Sequence, residues 1–127
     1  MKKILVADDD IEICKLIENI LSDKGYEVFS ARNGKEALKR LYNISPDIMI
    51  LDVEMPEING DEVYRTIRKD EFYKDLPILM MSGSTPYNEN ADFQIDKEFL
   101  SKPFDIKDLL YKVEFLLKEF NAKQEEE

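Results

Sequence analysis

Histidine is absent from this chain of 127 residues. Its absence removes the usual general base near neutral pH, the commonest nitrogen ligand for zinc, and any histidine that could carry a phosphoryl group. Cysteine occurs once, as Cys14, so an internal disulfide is impossible. Because Cys14 falls within a helical pattern, we expect a packed thiol rather than a reactive one. This cysteine usage fits a reducing compartment, and we expect the cytoplasm.

Long apolar runs and basic patches are also missing. No apolar stretch approaches the roughly 20 residues that a membrane-spanning helix needs. Lys2 and Lys3 lead into a short strand pattern rather than the long apolar segment of a signal peptide. The net charge is −10, which argues against direct binding to nucleic acid or to an anionic membrane.

Short apolar runs alternate with amphipathic helical patterns along the chain. The helical stripe from Ile106 to Phe120 is the most regular, whereas Pro86 and the polar run Asn88–Asn90 allow only a short, frayed helix between Ser84 and Lys97. The predicted strands are Lys3–Ala7, Tyr26–Ala31, Ile48–Leu51, Pro77–Ser82 and Phe99–Ser101. This alternation predicts an α/β fold, a doubly wound five-stranded parallel sheet with right-handed crossovers.

The length and the hydrophobic fraction of 43% fit a single domain with one substantial core. We place this domain over residues 1–121. Residues 122–127 form an acidic tail, which we predict to be disordered.

Three carboxylates follow the ends of two predicted strands. Asp8 and Asp9 come directly after the first strand, and Asp52 closes the third. Taken alone, Asp52 is equally well explained as a helix cap or a turn residue. However, parallel strands bring their carboxyl ends to one edge of the sheet, which is where open α/β sheets bind ligands. This placement predicts a cluster of three acids.

Such a cluster requires a compensating positive charge. Two like charges about 4 Å apart repel by roughly 4 kcal/mol at an effective dielectric constant of about 20. A divalent cation removes this cost, and oxygen-only ligands favour Mg²⁺, Mn²⁺ or Ca²⁺ over zinc. Two more polar residues, Ser82 and Lys102, end the fourth strand and follow the fifth. Each alone is typical of a loop, but together with the acids they predict a functional site.

In these residues the chain resembles the receiver domain of two-component response regulators, including the single-domain chemotaxis type. The resemblance extends from Lys3 to about Phe120 and implies the flavodoxin-like (βα)5 receiver fold. The motifs that carry it are Asp8-Asp9, Asp52 with Met55-Pro56 and Gly60, Ser82-Gly83, and Lys102-Pro103-Phe104.

The resemblance implies a role for each site residue. Asp52 takes the place of the phosphoacceptor, and Lys102 that of the lysine that grips the phosphoryl group. Ser82 takes the place of the switch hydroxyl. Phe99 is the switch aromatic, which lacks a tyrosine hydroxyl and would rotate into space that Ser82 vacates. The resemblance also implies a cis peptide bond between Lys102 and Pro103.

The metal ligands are implied in the same way. The expected ion is Mg²⁺, with Mn²⁺ as the alternative. Asp9 and Asp52 would bind it directly, and Asp8 would bind it directly or through a water molecule. The third protein ligand would be the backbone carbonyl of Glu54. For the Glu54 side chain, pairing with Lys102 and exposure to solvent remain alternatives. For Asp10, support of the metal site and simple solvation remain alternatives.

The implied function is a phosphoacceptor signalling switch. A sensor histidine kinase, a phosphotransfer protein or a small acyl phosphate would supply the phosphoryl group. The output would pass through the surface of the fourth helix, fifth strand and fifth helix, to a downstream protein or to a second copy of the chain. Such a protein catalyses its own phosphorylation and dephosphorylation without being a turnover enzyme.

Three alternatives compete with this interpretation. A flavodoxin-like cofactor binder shares the fold, but the acidic triplet Asp8–Asp10 would repel a phosphate. A Mg²⁺-dependent phosphatase with an aspartyl nucleophile would use Asp8 and Asp10, but Glu12 stands where a hydroxyl residue is expected. The third alternative is that the chain is the receiver portion of a longer regulator or hybrid kinase.

Overall fold

The computed structural model describes residues 1–84 and 95–126 of the chain. The strands are β1 (Lys3–Ala7), β2 (Glu27–Ala31), β3 (Ile48–Asp52), β4 (Ile78–Ser82) and β5 (Phe99–Ser101). The helices are α1 (Ile11–Ser22), α2 (Gly34–Ile44), α3 (Gly60–Arg68), α4 (Ile95–Glu98) and α5 (Ile106–Glu126). The strands form one parallel sheet in the order β2-β1-β3-β4-β5, which confirms the predicted doubly wound fold.

Two apolar layers cover the two faces of the sheet. Successive side chains of a strand point to opposite faces. Along β1, Leu5 therefore joins the layer under α2 and α3, whereas Ile4 joins the layer under α1 and α5. All residues of β3 and β4 are buried, as expected for central strands covered on both sides.

The strand register sets the level at which each strand ends. Ala7 pairs with Leu51, so Asp8 and Asp52 each follow a paired residue at the same level. Asp52 pairs in turn with Met81, which precedes Ser82. Ser82 pairs with Ser101 on β5, and the Lys102 backbone N–H donates to the Ser82 carbonyl at 2.8 Å. The register therefore places all the polar strand-end residues at one edge.

Asp10 is the N-terminal cap of α1, a role that the sequence analysis did not consider. Its side chain accepts hydrogen bonds from the backbone N–H groups of Glu12 at 2.9 Å and Ile13 at 3.4 Å. The predicted cap at Asn33 is confirmed, because its side chain accepts from the Glu36 N–H at 2.8 Å. Asp and Asn are among the preferred capping residues.

The prediction of a disordered tail from residue 122 is wrong as far as Glu126, because α5 continues to that residue. Two ion pairs support its last turns, Lys118 with Glu114 at 2.8 Å and Lys123 with Glu119 at 3.8 Å. Both have glutamate four residues before lysine, the favourable order in a helix. Ala, Lys, Gln and Glu are also good helix formers, so the acidic composition did not prevent helix formation.

Other predicted boundaries differ little from the structure. Strand β2 begins at Glu27 rather than at Tyr26, and β4 begins at Ile78 rather than at Pro77. Helix α4 begins inside the segment from Ser84 to Lys97, where only a short helix was predicted, and ends one residue beyond it, at Glu98. Residues 85–94, which include Pro86 and Asn88–Asn90, lie outside the described residues.

Cys14 is buried, as predicted for a packed thiol. Burial and the repulsion of Asp8 and Asp10 raise the pKa of this thiol to about 11, although the hydrogen bond to the Asp8 carbonyl and the charge of Lys102 act in the opposite direction. The raised pKa disfavours the reactive thiolate. Within residues 1–84 and 95–126, no helix has both the length and the apolar character needed to cross a membrane.

Gly60, the first residue of α3, packs directly against the end of β3. A Cβ atom at this position would lie 2.2 Å from the Asp52 carbonyl oxygen and 2.9 Å from the Val53 Cα atom. Because both are backbone atoms, neither can rotate away. We expect Gly60→Ala to lower the free energy of unfolding by about 3 kcal/mol, as measured by urea denaturation.

Gly83→Ala is the matched control, because a Cβ at residue 83 would meet no atom of residues 1–84 or 95–126 within 4 Å, its two chain neighbours apart. We expect this control to change the free energy of unfolding by less than about 1 kcal/mol. Equal, small losses in the two variants would show that the close approach at Gly60 is not a constraint.

Candidate functional site

The structure brings together the three carboxylates that follow β1 and β3. One oxygen atom from each of Asp8, Asp9 and Asp52 lies within 4.8 Å of the other two. Asp8 and Asp52 are buried, whereas Asp9 is exposed. The cluster is thus open to solvent on the Asp9 side, and the sequence-based expectation that these acids converge agrees with the geometry.

Lys102 joins this cluster from the end of β5. Its Nζ atom donates to Asp8 Oδ2 at 2.7 Å and lies 3.3 Å from Asp52 Oδ2. The Lys102–Pro103 peptide bond is cis, as the family resemblance implied. The lysine therefore bridges the carboxylates of two different strands.

Backbone donors hold the two buried carboxylates in place. The Asp10 N–H donates to Asp8 Oδ1 at 2.9 Å, and the Glu54 N–H donates to Asp52 Oδ1 at 3.2 Å. Each carboxylate thus has one oxygen on the backbone and the other beside Lys102. This arrangement fixes the direction of both side chains before any ligand binds.

The electrostatics of the cluster disfavour a fully ionised state. Burial and the repulsion of Asp8 raise the pKa of Asp52 to about 7, although Lys102 and the Glu54 N–H act in the opposite direction. For Lys102, burial acts to lower the pKa, but the hydrogen bond and attraction of Asp8 and the attraction of Asp52 outweigh it, so the pKa is raised. One ammonium group does not balance three carboxylates.

The cluster has the donor chemistry of a site for a hard divalent cation. All its side-chain ligands are carboxylate oxygens, which suit Mg²⁺ or Mn²⁺. A divalent ion would balance the charge that Lys102 leaves uncompensated, and the exposed Asp9 leaves room for water ligands. The residues present therefore fit the group that the family resemblance implies.

Ser82 and Glu54 form a contact that the sequence analysis missed. The Ser82 hydroxyl donates to Glu54 Oε1 at 2.5 Å and accepts from the Ser84 N–H at 3.0 Å. Pairing of Glu54 with Lys102 and exposure without a partner were the two alternatives, and neither describes this contact. The signal lies in the register, because Asp52 pairs with Met81 and the residues just beyond them are close.

Phe99 is only 4% exposed and packs in the apolar layer under α2 and α3. Its ring is therefore already inside the core in this structure, and its rotation into space vacated by Ser82 stays a prediction. Its backbone carbonyl accepts a hydrogen bond from the Lys112 side chain of α5 at 2.7 Å. Phe99 thus connects β5 to α5 through its backbone carbonyl, whereas its ring packs in the other apolar layer.

A family model confirms the resemblance over most of the chain. Residues 4–114 match the response regulator receiver domain. The response regulator receiver protein CpdR of Brucella abortus is 34% identical over 119 residues, which cover 92% of this chain and 98% of that protein. The CpxR homolog of Haemophilus influenzae, a transcriptional regulatory protein, is 36% identical over 123 residues, which cover 93% of this chain. The chain spans only about half of that protein, 51% of its length.

Solved structures agree in fold. The chemotaxis response regulator CheY4 of Vibrio cholerae has a TM-score of 0.83 and 34% identity, covering 91% of this chain and 98% of that one. The response regulator TrrA of Thermotoga maritima, solved in complex with Mg²⁺ and BeF, has a TM-score of 0.80 and 39% identity, covering 91% and 99%. With a family match over residues 4–114 and these relatives, the chain belongs to the response regulator receiver domain family of two-component systems.

Proposed function

We propose that this receiver domain is a phosphorylation switch that accepts a phosphoryl group on Asp52 in a Mg²⁺-dependent reaction. The observation that carries the proposal is the bridge that Lys102 makes between Asp8 and Asp52, beside the exposed carboxylate of Asp9. The donor is a phosphohistidine of a sensor kinase or a phosphotransfer protein, or a small acyl phosphate.

The transfer is an in-line displacement at phosphorus. An Asp52 oxygen forms a bond to phosphorus while the bond from phosphorus to the donor nitrogen breaks, leaving the donor histidine free and Asp52 as an acyl phosphate. Positioning and charge stabilisation supply most of the catalysis in such reactions. The Glu54 N–H orients the nucleophile, and Lys102 Nζ, 3.3 Å from Asp52 Oδ2, is placed to contact the phosphoryl oxygens.

The metal site consists of Asp8, Asp9 and Asp52, with the Glu54 carbonyl as a further ligand. When bound, Mg²⁺ supplies positive charge that favours the ionised nucleophile and balances the phosphoryl oxygens. Without the ion, burial and the repulsion of Asp8 raise the pKa of Asp52, and the higher pKa disfavours the attacking form.

The contacts of Asp10 disfavour an aspartyl phosphatase. Such an enzyme would use Asp8 as its nucleophile and Asp10 as its acid. In the structure the Asp10 carboxylate is occupied as the cap of α1, where it accepts hydrogen bonds from the Glu12 and Ile13 N–H groups. The receiver assignment needs no acid at Asp10.

The output passes through the surface of α4, β5 and α5 to a downstream protein or to a second copy of the chain. Ser82 is bonded through its carbonyl to the Lys102 N–H at the end of β5, and Phe99 of β5 is bonded to Lys112 of α5. A movement of Ser82 therefore reaches this surface through backbone contacts. We place the domain in the cytoplasm, as a free receiver or as the receiver portion of a longer regulator, without direct nucleic-acid or membrane binding of its own.

Acetyl phosphate with Mg²⁺ should add one phosphoryl group to the wild-type chain, because Asp52 is the carboxylate beside both Lys102 and the metal ligands. Intact-mass spectrometry measures the addition, and EDTA should abolish it. Asp52→Asn should remain unlabelled, whereas Asp75→Asn, an exposed acid before β4, should label normally. Equal labelling of wild type and Asp52→Asn would refute the assignment.

Mg²⁺ should stabilise the unphosphorylated protein, because the ion binds the folded cluster and not the dispersed carboxylates of the unfolded chain. We expect millimolar MgCl₂ to raise the Tm of the wild type by about 5 °C, measured by circular dichroism. Asp75→Asn should respond in the same way, and Asp9→Asn should respond much less. An undiminished response of Asp9→Asn would place the ion elsewhere.

Beryllofluoride, a phosphoryl analogue, should shift the backbone NMR resonances of residues 100–113, since this range joins the site to α5. Residues 27–31 of β2, at the opposite edge of the sheet, serve as the internal reference and should move little. In Asp52→Asn, beryllofluoride should shift the resonances of neither range. Unmoved resonances in residues 100–113 would exclude this output route.

A further inference from the structure

We propose that Glu54 is a positioning residue that holds the Ser82 hydroxyl away from the phosphoryl site, and that it must release this hydroxyl when Asp52 is phosphorylated. The inference rests on the proposed function. Its observation is the 2.5 Å hydrogen bond from the Ser82 hydroxyl to Glu54 Oε1. We call this hydrogen bond the Glu54–Ser82 latch.

The latch is exclusive because a hydroxyl group has a single proton. The Ser82 hydroxyl donates that proton to Glu54, and it already accepts from the Ser84 N–H at 3.0 Å. Phosphoryl oxygens on Asp52 are acceptors only, so they too need the proton of Ser82. The two bonds cannot form at once, and Glu54 therefore competes directly with the phosphoryl group.

The surroundings of Ser82 and Glu54 favour the hydrogen bond between them until a phosphoryl oxygen replaces Glu54 as the acceptor. Ser82 is only 3% exposed, so its proton has little access to water once Glu54 is removed. Glu54 is exposed, so its carboxylate is readily solvated after release. A phosphoryl oxygen satisfies the buried hydroxyl, and water satisfies the glutamate.

The backbone of Glu54 contacts the nucleophile while its side chain contacts the switch. Its N–H donates to Asp52 Oδ1 at 3.2 Å, and its carboxylate accepts from Ser82. A change at Asp52 and a change at Ser82 are thus connected through one residue. This connection makes Glu54 a determinant of how readily phosphorylation moves the switch.

A simpler role of Glu54, repulsion of the anionic phosphoryl group by its charge, makes a different prediction. Repulsion does not need Ser82, whereas the latch does. Repulsion is also removed equally by glutamine and alanine, whereas glutamine keeps an oxygen that accepts the Ser82 proton. These two differences separate the roles.

The test is a double-mutant cycle on the affinity for beryllofluoride with Mg²⁺, measured by isothermal titration calorimetry on the full chain. The proteins are the wild type, Glu54→Ala, Ser82→Ala and the double variant. We expect Glu54→Ala to tighten binding about tenfold when Ser82 is present and less than about twofold in the Ser82→Ala background. Glu54→Gln should stay closer to the wild type than to Glu54→Ala.

A second measurement needs neither metal nor analogue. In the metal-free protein, three-bond NMR couplings should show one fixed side-chain rotamer for Ser82 in the wild type and averaged rotamers in Glu54→Ala. Equal tightening by Glu54→Ala in both backgrounds would assign the effect to charge and overturn the latch. Unchanged affinity with an unchanged rotamer would overturn it as well. If the folded wild-type protein bound no beryllofluoride, the proposed function itself would fail.

Discussion

The concentration of negative charge at the carboxyl edge of the sheet is the constraint on which this structure depends. Two of the three clustered carboxylates, Asp8 and Asp52, are buried where their mutual repulsion is strong. Lys102, which follows another strand, bridges the two carboxylates and reduces their repulsion without neutralising the cluster. A site that remains electrostatically unbalanced is one whose state changes readily when a cation or a phosphoryl group arrives.

Several parts of the sheet hold the residues at that edge in place. Central strands buried on both faces hold the ends of β1 and β3 level, so Asp8 and Asp52 cannot separate. The close packing of Gly60 against the Asp52 carbonyl fixes the turn that follows β3. The short β5, paired to β4, carries Lys102 into the cluster. Because these strand ends are rigidly packed, a change of charge at the site acts on side chains in fixed positions.

The same edge also connects the site to a distant surface. Ser82 contacts Glu54 through its side chain and Lys102 through its backbone, and β5 contacts α5 through Phe99 and Lys112. Together with the hydrogen bond from the Glu54 N–H to Asp52, these contacts form a continuous path from Asp52 to α5. The chain spans about half the length of several relatives that are transcriptional regulators.

The amino-acid sequence by itself determined the alternation of strands and helices, and with it the edge at which Asp8, Asp52 and Lys102 meet, because periodicity and parallel topology are local and geometric rules. Composition misjudged the last turns of α5, where pairs such as Glu119 with Lys123 stabilise helix. The pKa of Asp52 and the contact between Glu54 and Ser82 depended on the tertiary structure alone. Burial sets the pKa of Asp52, and strand register brings Glu54 and Ser82 together although they lie 28 residues apart in the chain. Neither burial nor register follows from the local sequence around these residues.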